Sequence, residues 1–368
     1  MSLMTEHLSV PGSPDLDGIC ALEAFEALAE YRLTRAAEVI LNHGAGTSAS
    51  VRRNSAAWGQ WAINSRILVD VPDIQLRTTV LGTPVSLPVL FAPTGLHGLA
   101  HPDGEVATAR AANRADTLMV LSFTSSVTLE EVAPYSTKLW FQVYWSKDRD
   151  YLRLMIDRAA NAGYRAICLT LDMPVQPWLG AQMRQAVRET AGITPAHGMA
   201  RNVFLDAAMP WLHDARLTWA NLAWLISICP LPLVLKGVMT ADDARLAVEH
   251  GASAIVVSNH GGRVLEEGLA TADVLSEILA MIGGRIEVLV DGGIRHGSDV
   301  FKALAMGARA VLIGRPVQWG LAVAGSDGAK RVIEILRGEM ASVMGMAGAR
   351  TVDDITPDKI VRRIYFPT

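Results

Sequence analysis

A histidine and an arginine stand three residues apart in Ser258-Asn259-His260-Gly261-Gly262-Arg263, directly after the apolar run Ala254-Ile255-Val256-Val257. That run reads as a buried strand. The loop at its C-terminal end therefore carries a proton acceptor and a cationic fork to one place. An imidazole titrates near neutrality and suits proton transfer. A guanidinium matches a carboxylate bidentately. Two further strand ends carry Asp291-Gly292-Gly293-Ile294-Arg295 and Gly314-Arg315-Pro316. Glycines let backbone N–H groups come close to an anion, and the arginines add charge. Together the three segments imply a site for a phosphate-bearing cofactor beside a small acid.

Positioning such groups takes a barrel. Eight β-rich runs recur at 89–93, 117–123, 138–144, 166–172, 231–237, 254–259, 287–293 and 310–315, separated by helical patterns. Alternating strands and helices imply a parallel sheet. Near-continuous apolar runs imply burial on both faces, and eight units favour closure. The expected fold is a TIM (β/α)8 barrel spanning about 89–345, with an N-terminal helical extension and a long lid after strand 4, in one domain over 1–368. The extension begins with a helix over 22–41. The lid covers 175–216, too long for an ordinary strand-to-helix loop. Helices are expected over 219–228, over 240–250 with Thr240 as cap, and over 297–306 with Gly307 as stop.

Whole-chain properties narrow the class. The 368 residues carry a net charge of −4 with both signs mixed, which gives no electrostatic case for nucleic acid. Three cysteines, Cys20, Cys168 and Cys229, form no CxxC pair and no metal-ligand pattern, and their sparseness fits a reducing cytoplasm. Residues 1–17 lack the pattern of a signal peptide. The most apolar window, 217–235, is interrupted by Asn221, Pro230 and Pro232, so it reads as a helix followed by a strand and not as a membrane span.

Polar groups collect at the strand ends: Pro93 and Thr94, Ser122, Gln142 and Tyr144, Thr170 and Asp172, Lys236, then Ser258, His260 and Arg263. Barrel active sites lie on that rim. In combination, SNHGGR, LVDGGIRHGSDVFKALAMGA and the LVLKGV strand resemble the FMN-dependent α-hydroxy-acid oxidases and dehydrogenases, which include glycolate oxidase, lactate oxidase and mandelate dehydrogenase. The resemblance runs from about residue 52 to 357. It implies FMN as cofactor, a homotetramer, and oxidation of a 2-hydroxy acid to a 2-oxo acid. It implies that Asp291, Gly292, Gly293, Arg295, Gly314 and Arg315 hold the FMN phosphate side. Lys236 stands beside the flavin N1–C2=O edge. Pro93, Thr94, Ser122, Gln142, Thr170 and Ser258 contact its ring or ribityl chain. His260 acts as base while electrons pass to flavin N5, Asp172 supports it, and Arg263 and Tyr144 bind the substrate. The electron acceptor, oxygen or another species, stays open.

Two segments depart from the family pattern. Ile40 stands where the family carries a Tyr that holds the substrate carboxylate, unless Asn42 or His43 takes over the role. A lost charge-assisted hydrogen bond costs about 1.5–3 kcal/mol, which disfavours glycolate and favours a larger substrate. In the lid the family's paired arginines are absent, although Arg184 and Arg188 lie near. Trp178, Leu179 and Met183 either line an apolar pocket or pack the lid. The alternatives are another FMN barrel, such as a type 2 isopentenyl diphosphate isomerase, or a flavin-binding homologue without turnover.

Overall fold

A computed structural model describes residues 15–175, 177–190, 192, 195–197 and 214–363. Lid positions 198–213 and residues 1–14, where the signal-peptide reading falls, lie outside the described residues. The barrel strands are β1 (Val89–Phe91), β2 (Met119–Leu121), β3 (Leu139–Tyr144), β4 (Ile167–Thr170), β5 (Leu233–Val238), β6 (Ala254–Val257), β7 (Glu287–Asp291) and β8 (Ala310–Ile313). Each pairs in parallel with the next. β8 returns to β1 through Val311–Val89 and Leu312–Leu90, closing the barrel.

Closure explains the unbroken apolar runs. Alternate strand residues such as Leu90, Val120, Trp140, Val234 and Leu289 form one fully buried cluster. Their neighbours Phe91, Leu121, Phe141, Leu235 and Val290 belong to a second, shared with the surrounding helices. Side chains alternate faces along a strand, so both faces must be apolar. The antiparallel hairpin of Thr78–Val80 and Thr83–Val85 joins the first cluster through Val80 and Val85. The Leu81 N–H donates to Glu287 Oε2 at 2.9 Å, at the first residue of β7, so the hairpin sits at the end opposite the proposed site.

The N-terminal extension corrects one expectation. In place of a single helix over 22–41 there are two, α1 (Leu22–Arg32) and α2 (Arg35–Asn42), followed by α3 (Ala49–Trp58). The break is chemical. Thr34 is extended, and its hydroxyl accepts the Ala37 N–H at 3.2 Å, so it starts a new helix instead of continuing the first. Within the lid, Ala181–Glu189 is helical, packs on α2 and buries Ala186 and Val187. The helices Trp219–Ile228, Ala241–Glu249 and Gly297–Met306 fall where periodicity predicted them. Thr240 caps the second through the Asp243 N–H, and Gly307 ends the third at φ 117°.

Candidate active site

The loop after β6 turns through His260, whose φ of 57° lies in the left-handed region that non-glycine residues rarely enter. Such a conformation persists only where its surroundings hold it. Here the His260 N–H donates to Ser258 Oγ at 3.1 Å. Asn259 Oδ1 accepts the Gly262 N–H at 3.0 Å, and Asn259 exchanges two amide hydrogen bonds with Asn54 of α3, each 2.8 Å. Gly262, at φ 76°, lies so close to α3 that a Cβ would sit 2.7 Å from the Val51 nitrogen. The extension therefore grips the loop after β6 from outside the barrel.

His260 Nδ1 is 2.9 Å from Asp172 Oδ1, at the end of β4. A carboxylate only accepts, so Nδ1 carries the proton and Nε2 is left as a base. Burial pushes the Asp172 carboxyl up. His260 and Lys236 outweigh burial and hold it below the usual carboxylate range. Lys236 Nζ donates to Ser258 Oγ at 2.8 Å and lies 3.1 Å from Asp291 Oδ2. Its burial works against the ammonium, but Asp291 and Asp172 win and raise its pKa. Gly237 makes this fit: at φ 108° it follows Lys236 at a register irregularity of β5, and a Cβ there would lie 2.7 Å from Asp172 Cβ.

Arg263 donates through Nη1 to His43 O at 2.8 Å and Leu41 O at 3.3 Å, and through Nη2 to Ile40 O at 2.8 Å. These are carbonyls of the last turn of α2 and of its C-cap His43, which no helical N–H satisfies. Nε–H and one Nη2–H remain without a partner among the described residues, an edge suited to a carboxylate. Burial pushes the Arg263 pKa down, and no carboxylate ion-pairs with it among the described residues. The Tyr144 hydroxyl, on the same rim, is pushed up to about 12, chiefly by burial, and stays protonated as a donor at neutral pH.

The loops after β7 and β8 hold the second polar cluster. Gly292 and Gly293 have φ of 95° and 80°, and a Cβ on Gly293 would lie 2.3 Å from Asn54 O. α3 thus demands glycine there as strictly as any anion would. Arg295 stacks 4.8 Å from the Trp319 ring centroid. Arg315 donates from Nη1 to Gly261 O at 2.9 Å and from Nε to Asn42 O at 3.2 Å, while its buried Nη2 has no partner among the described residues. Burial, with Arg263 and Arg295 close by, pushes the Arg315 guanidinium down to about 9. Two half-buried arginines with no ion-paired carboxylate among the described residues call for an anion.

Most of these groups border one cavity of about 470 Å³. It is lined by Pro93, Thr94, Ser122, Tyr144, Lys236, His260, Arg263, Asp291, Gly292, Gly293, Arg295, Gly314 and Arg315. Four predicted residues stand behind the wall. Asp172 and Ser258 are bonded as described. Gln142 Oε1 accepts from Ser122 Oγ at 3.2 Å and the Phe123 N–H at 3.1 Å, and its Nε2 donates to Thr170 Oγ1 at 3.0 Å. Trp178, Leu179 and Met183 line the mouth. Arg184 lies 5.4 Å from the Trp178 ring centroid and is not on the wall. Asn42 turns away to accept the Trp319 indole N–H at 2.9 Å, which leaves His43 on the wall beside Ile40. Sequence reasoning missed Asn54 and Gln318. Gln318 follows Arg315 by one helical turn, and that i, i+3 spacing was the available signal.

Residues 29–362 match the family model described as FMN-dependent dehydrogenase. The chain belongs to this family. The L-lactate oxidase of Nostoc sp. is 45% identical over 350 residues, covering 90% of this chain and 95% of that one. A solved mandelate oxidase superposes with a TM-score of 0.84 at 38% identity, over 92% of this chain and 97% of its own. A monotopic membrane (S)-mandelate dehydrogenase superposes with a TM-score of 0.86 at 31% identity, over 94% and 100%. The chain is thus an FMN-dependent oxidoreductase of the 2-hydroxy-acid class, and FMN is its cofactor. Its residues suit that cofactor. The arginine pair and glycine loops suit a phosphate. The buried Asp291 Oδ1 and Gln318 Oε1, without partners among the described residues, suit a polar ring edge.

Proposed function

We propose that the protein oxidises a 2-hydroxy acid to the 2-oxo acid with His260 as base, and that its substrate is larger than glycolate. The observation that carries this is the 2.9 Å His260–Asp172 pair on the same cavity as the open edge of Arg263. Arg263 and the Tyr144 hydroxyl bind the substrate carboxylate. His260 Nε2 takes a proton from the substrate, and Asp172 stabilises the imidazolium that results. When bound, FMN supplies the acceptor for the electron pair leaving the substrate carbon, and Lys236 gives that added negative charge a fixed cation. The arginines of the β7 and β8 loops anchor the phosphate. The decisive test is anaerobic mixing of the FMN-loaded enzyme with a panel of 2-hydroxy acids. Bleaching of the yellow colour is expected with bulky members, and a panel that leaves the colour intact rejects the reading.

Substrate size rests on Ile40, Leu179 and Met183, an apolar wall where the family's tyrosine is absent. The named substrates of the mandelate relatives lend support. Ile40→Tyr returns a donor to the carboxylate and narrows the pocket. It is expected to raise kcat/KM for glycolate about tenfold and lower it for mandelate. Steady-state kinetics with both acids check this, and an unchanged ratio removes Ile40 from specificity.

The reading extends to a single FMN-binding domain working as a cytoplasmic homotetramer, with oxygen or another species accepting the electrons. The family resemblance supports the tetramer, and three free cysteines support a reducing compartment. No described helix is long and apolar enough to cross a membrane. Light scattering gives the oligomeric state. Timing the return of colour when the reduced enzyme meets air separates oxidase from dehydrogenase.

A further inference from the structure

Behind the cavity lies a chain of side chains that the chemistry above does not use. His97 is 1% exposed and Thr108 fully buried. His97 Nε2 is 2.7 Å from Thr94 Oγ1, and its Nδ1 is 2.8 Å from Thr108 Oγ1. Gln318 Nε2 donates to the same Thr94 oxygen at 2.8 Å. Thr94 and Gln318 both line the cavity, whereas His97 does not. The imidazole is held in place by its own backbone: the His97 N–H donates at 3.0 Å to the buried Glu105 carboxylate, which also takes the Ser126 N–H and hydroxyl.

Counting protons decides what Thr94 offers. Burial pushes the His97 pKa down, so the ring is neutral and carries one N–H. The Thr108 hydroxyl hydrogen has two takers, His97 Nδ1 at 2.8 Å and Gly104 O at 3.5 Å. The longer contact is at the edge of a hydrogen bond. Gly104 O, in the first turn of the helix Gly104–Arg114, already has the backbone N–H four residues on as its regular partner. Thr108 therefore donates to Nδ1, and the single ring proton stays on Nε2. Nε2–H then donates to Thr94 Oγ1. With His97 and Gln318 both donating to it, that oxygen has both lone pairs filled, and its own hydrogen turns into the cavity. Gln318, fixed by its NH2 group, is left with a buried Oε1 that has no partner among the described residues.

We infer that His97 is a positioning residue for the cofactor: by locking one tautomer it makes Thr94 an obligate hydrogen-bond donor on the cavity wall. This rests on FMN as the occupant of that cavity. The ligand edge facing the wall must present an acceptor to Thr94.

The test is a double-mutant cycle read on FMN binding to the full-length apoprotein, by quenching of flavin fluorescence. His97→Leu leaves Thr94 free to turn its hydrogen away, and Thr94→Val removes the donor. Each is expected to weaken FMN binding about tenfold. The double variant is expected to be no weaker than Thr94→Val alone. His97→Gln, which can donate to Thr94 and accept from Thr108, is expected to restore wild-type affinity. Thr108→Val removes the proton that fixes the tautomer. It should reproduce the loss in the wild-type background and add nothing beside Thr94→Val, which keeps the test decisive if His97→Leu does not fold. Losses that multiply to about a hundredfold in the double variants, or a His97→Gln variant as weak as His97→Leu, overturn the relay. A wild-type apoprotein that takes up no FMN overturns the cofactor assignment beneath it.

Discussion

His260→Asn is expected to lower kcat by about 10²–10⁴-fold, the usual contribution of a positioned general base, while the protein remains yellow. Asparagine is the informative replacement. Residue 260 sits at φ 57°, and asparagine tolerates that region better than alanine or glutamine. A loss of activity then reports chemistry and not a refolded loop. Asn also cannot serve as a proton acceptor at neutral pH, although it can still hydrogen-bond Asp172. Three readouts separate the outcomes: kcat under saturating acceptor, FMN affinity, and melting temperature. A variant that keeps turnover within threefold of wild type would remove His260 from the proton-transfer step. A variant that has lost its flavin would instead assign His260 to cofactor binding.

Arg315→Met is expected to have opposite effects on two quantities. FMN affinity should fall by about 10- to 100-fold, the worth of one charge-assisted contact to a phosphate. The melting temperature of the apoprotein should rise. The reason is that Arg315, half-buried with its Nη2 fully enclosed, lies close to Arg263 and Arg295 without an ion-paired carboxylate among the described residues, and desolvation with these like charges pushes its guanidinium down to about 9. A buried charge lacking a partner destabilises the fold until its ligand arrives, and an apolar side chain of similar length removes that strain. Thermal scans of wild type and variant with and without FMN check both halves. An apoprotein that melts lower after substitution would mean that Arg315 acts mainly through its carbonyl bonds to Asn42 and Gly261.

Much of this molecule is legible in its sequence because barrels write themselves in a simple code. Runs such as Ala254-Ile255-Val256-Val257 are apolar at every position, since one face meets the barrel interior and the other the helices. The groups at their C-terminal ends are polar for want of any other place to face. Residues with no packing reason to be polar, Lys236 and Asp172 among them, therefore announce the site. Three features were not readable. The break at Thr34 is a capping event, and a threonine inside a helical pattern does not announce that it starts a second helix. The Asn54–Asn259 amide pair spans more than two hundred residues, and no local spacing encodes it. Gln318, one turn after Arg315, had only that spacing to mark it, and its bond to Thr94 joins residues 224 apart. Glycine has a second reason here. The pattern at Gly293 was explained by an anion, yet the nearest obstacle to a side chain is the backbone of α3.

The bonds from Arg263 to the carbonyls of Ile40, Leu41 and His43 have a consequence for how the protein is made. During synthesis, α2 leaves the ribosome some two hundred residues before the side chain that fastens it. Until the sixth strand emerges, that helix end has no anchor and the reactive mouth has no floor. Arg315, which donates to the Asn42 carbonyl, and the glycine loops after β7 and β8 come later still, so the site is assembled only when nearly the whole barrel is present.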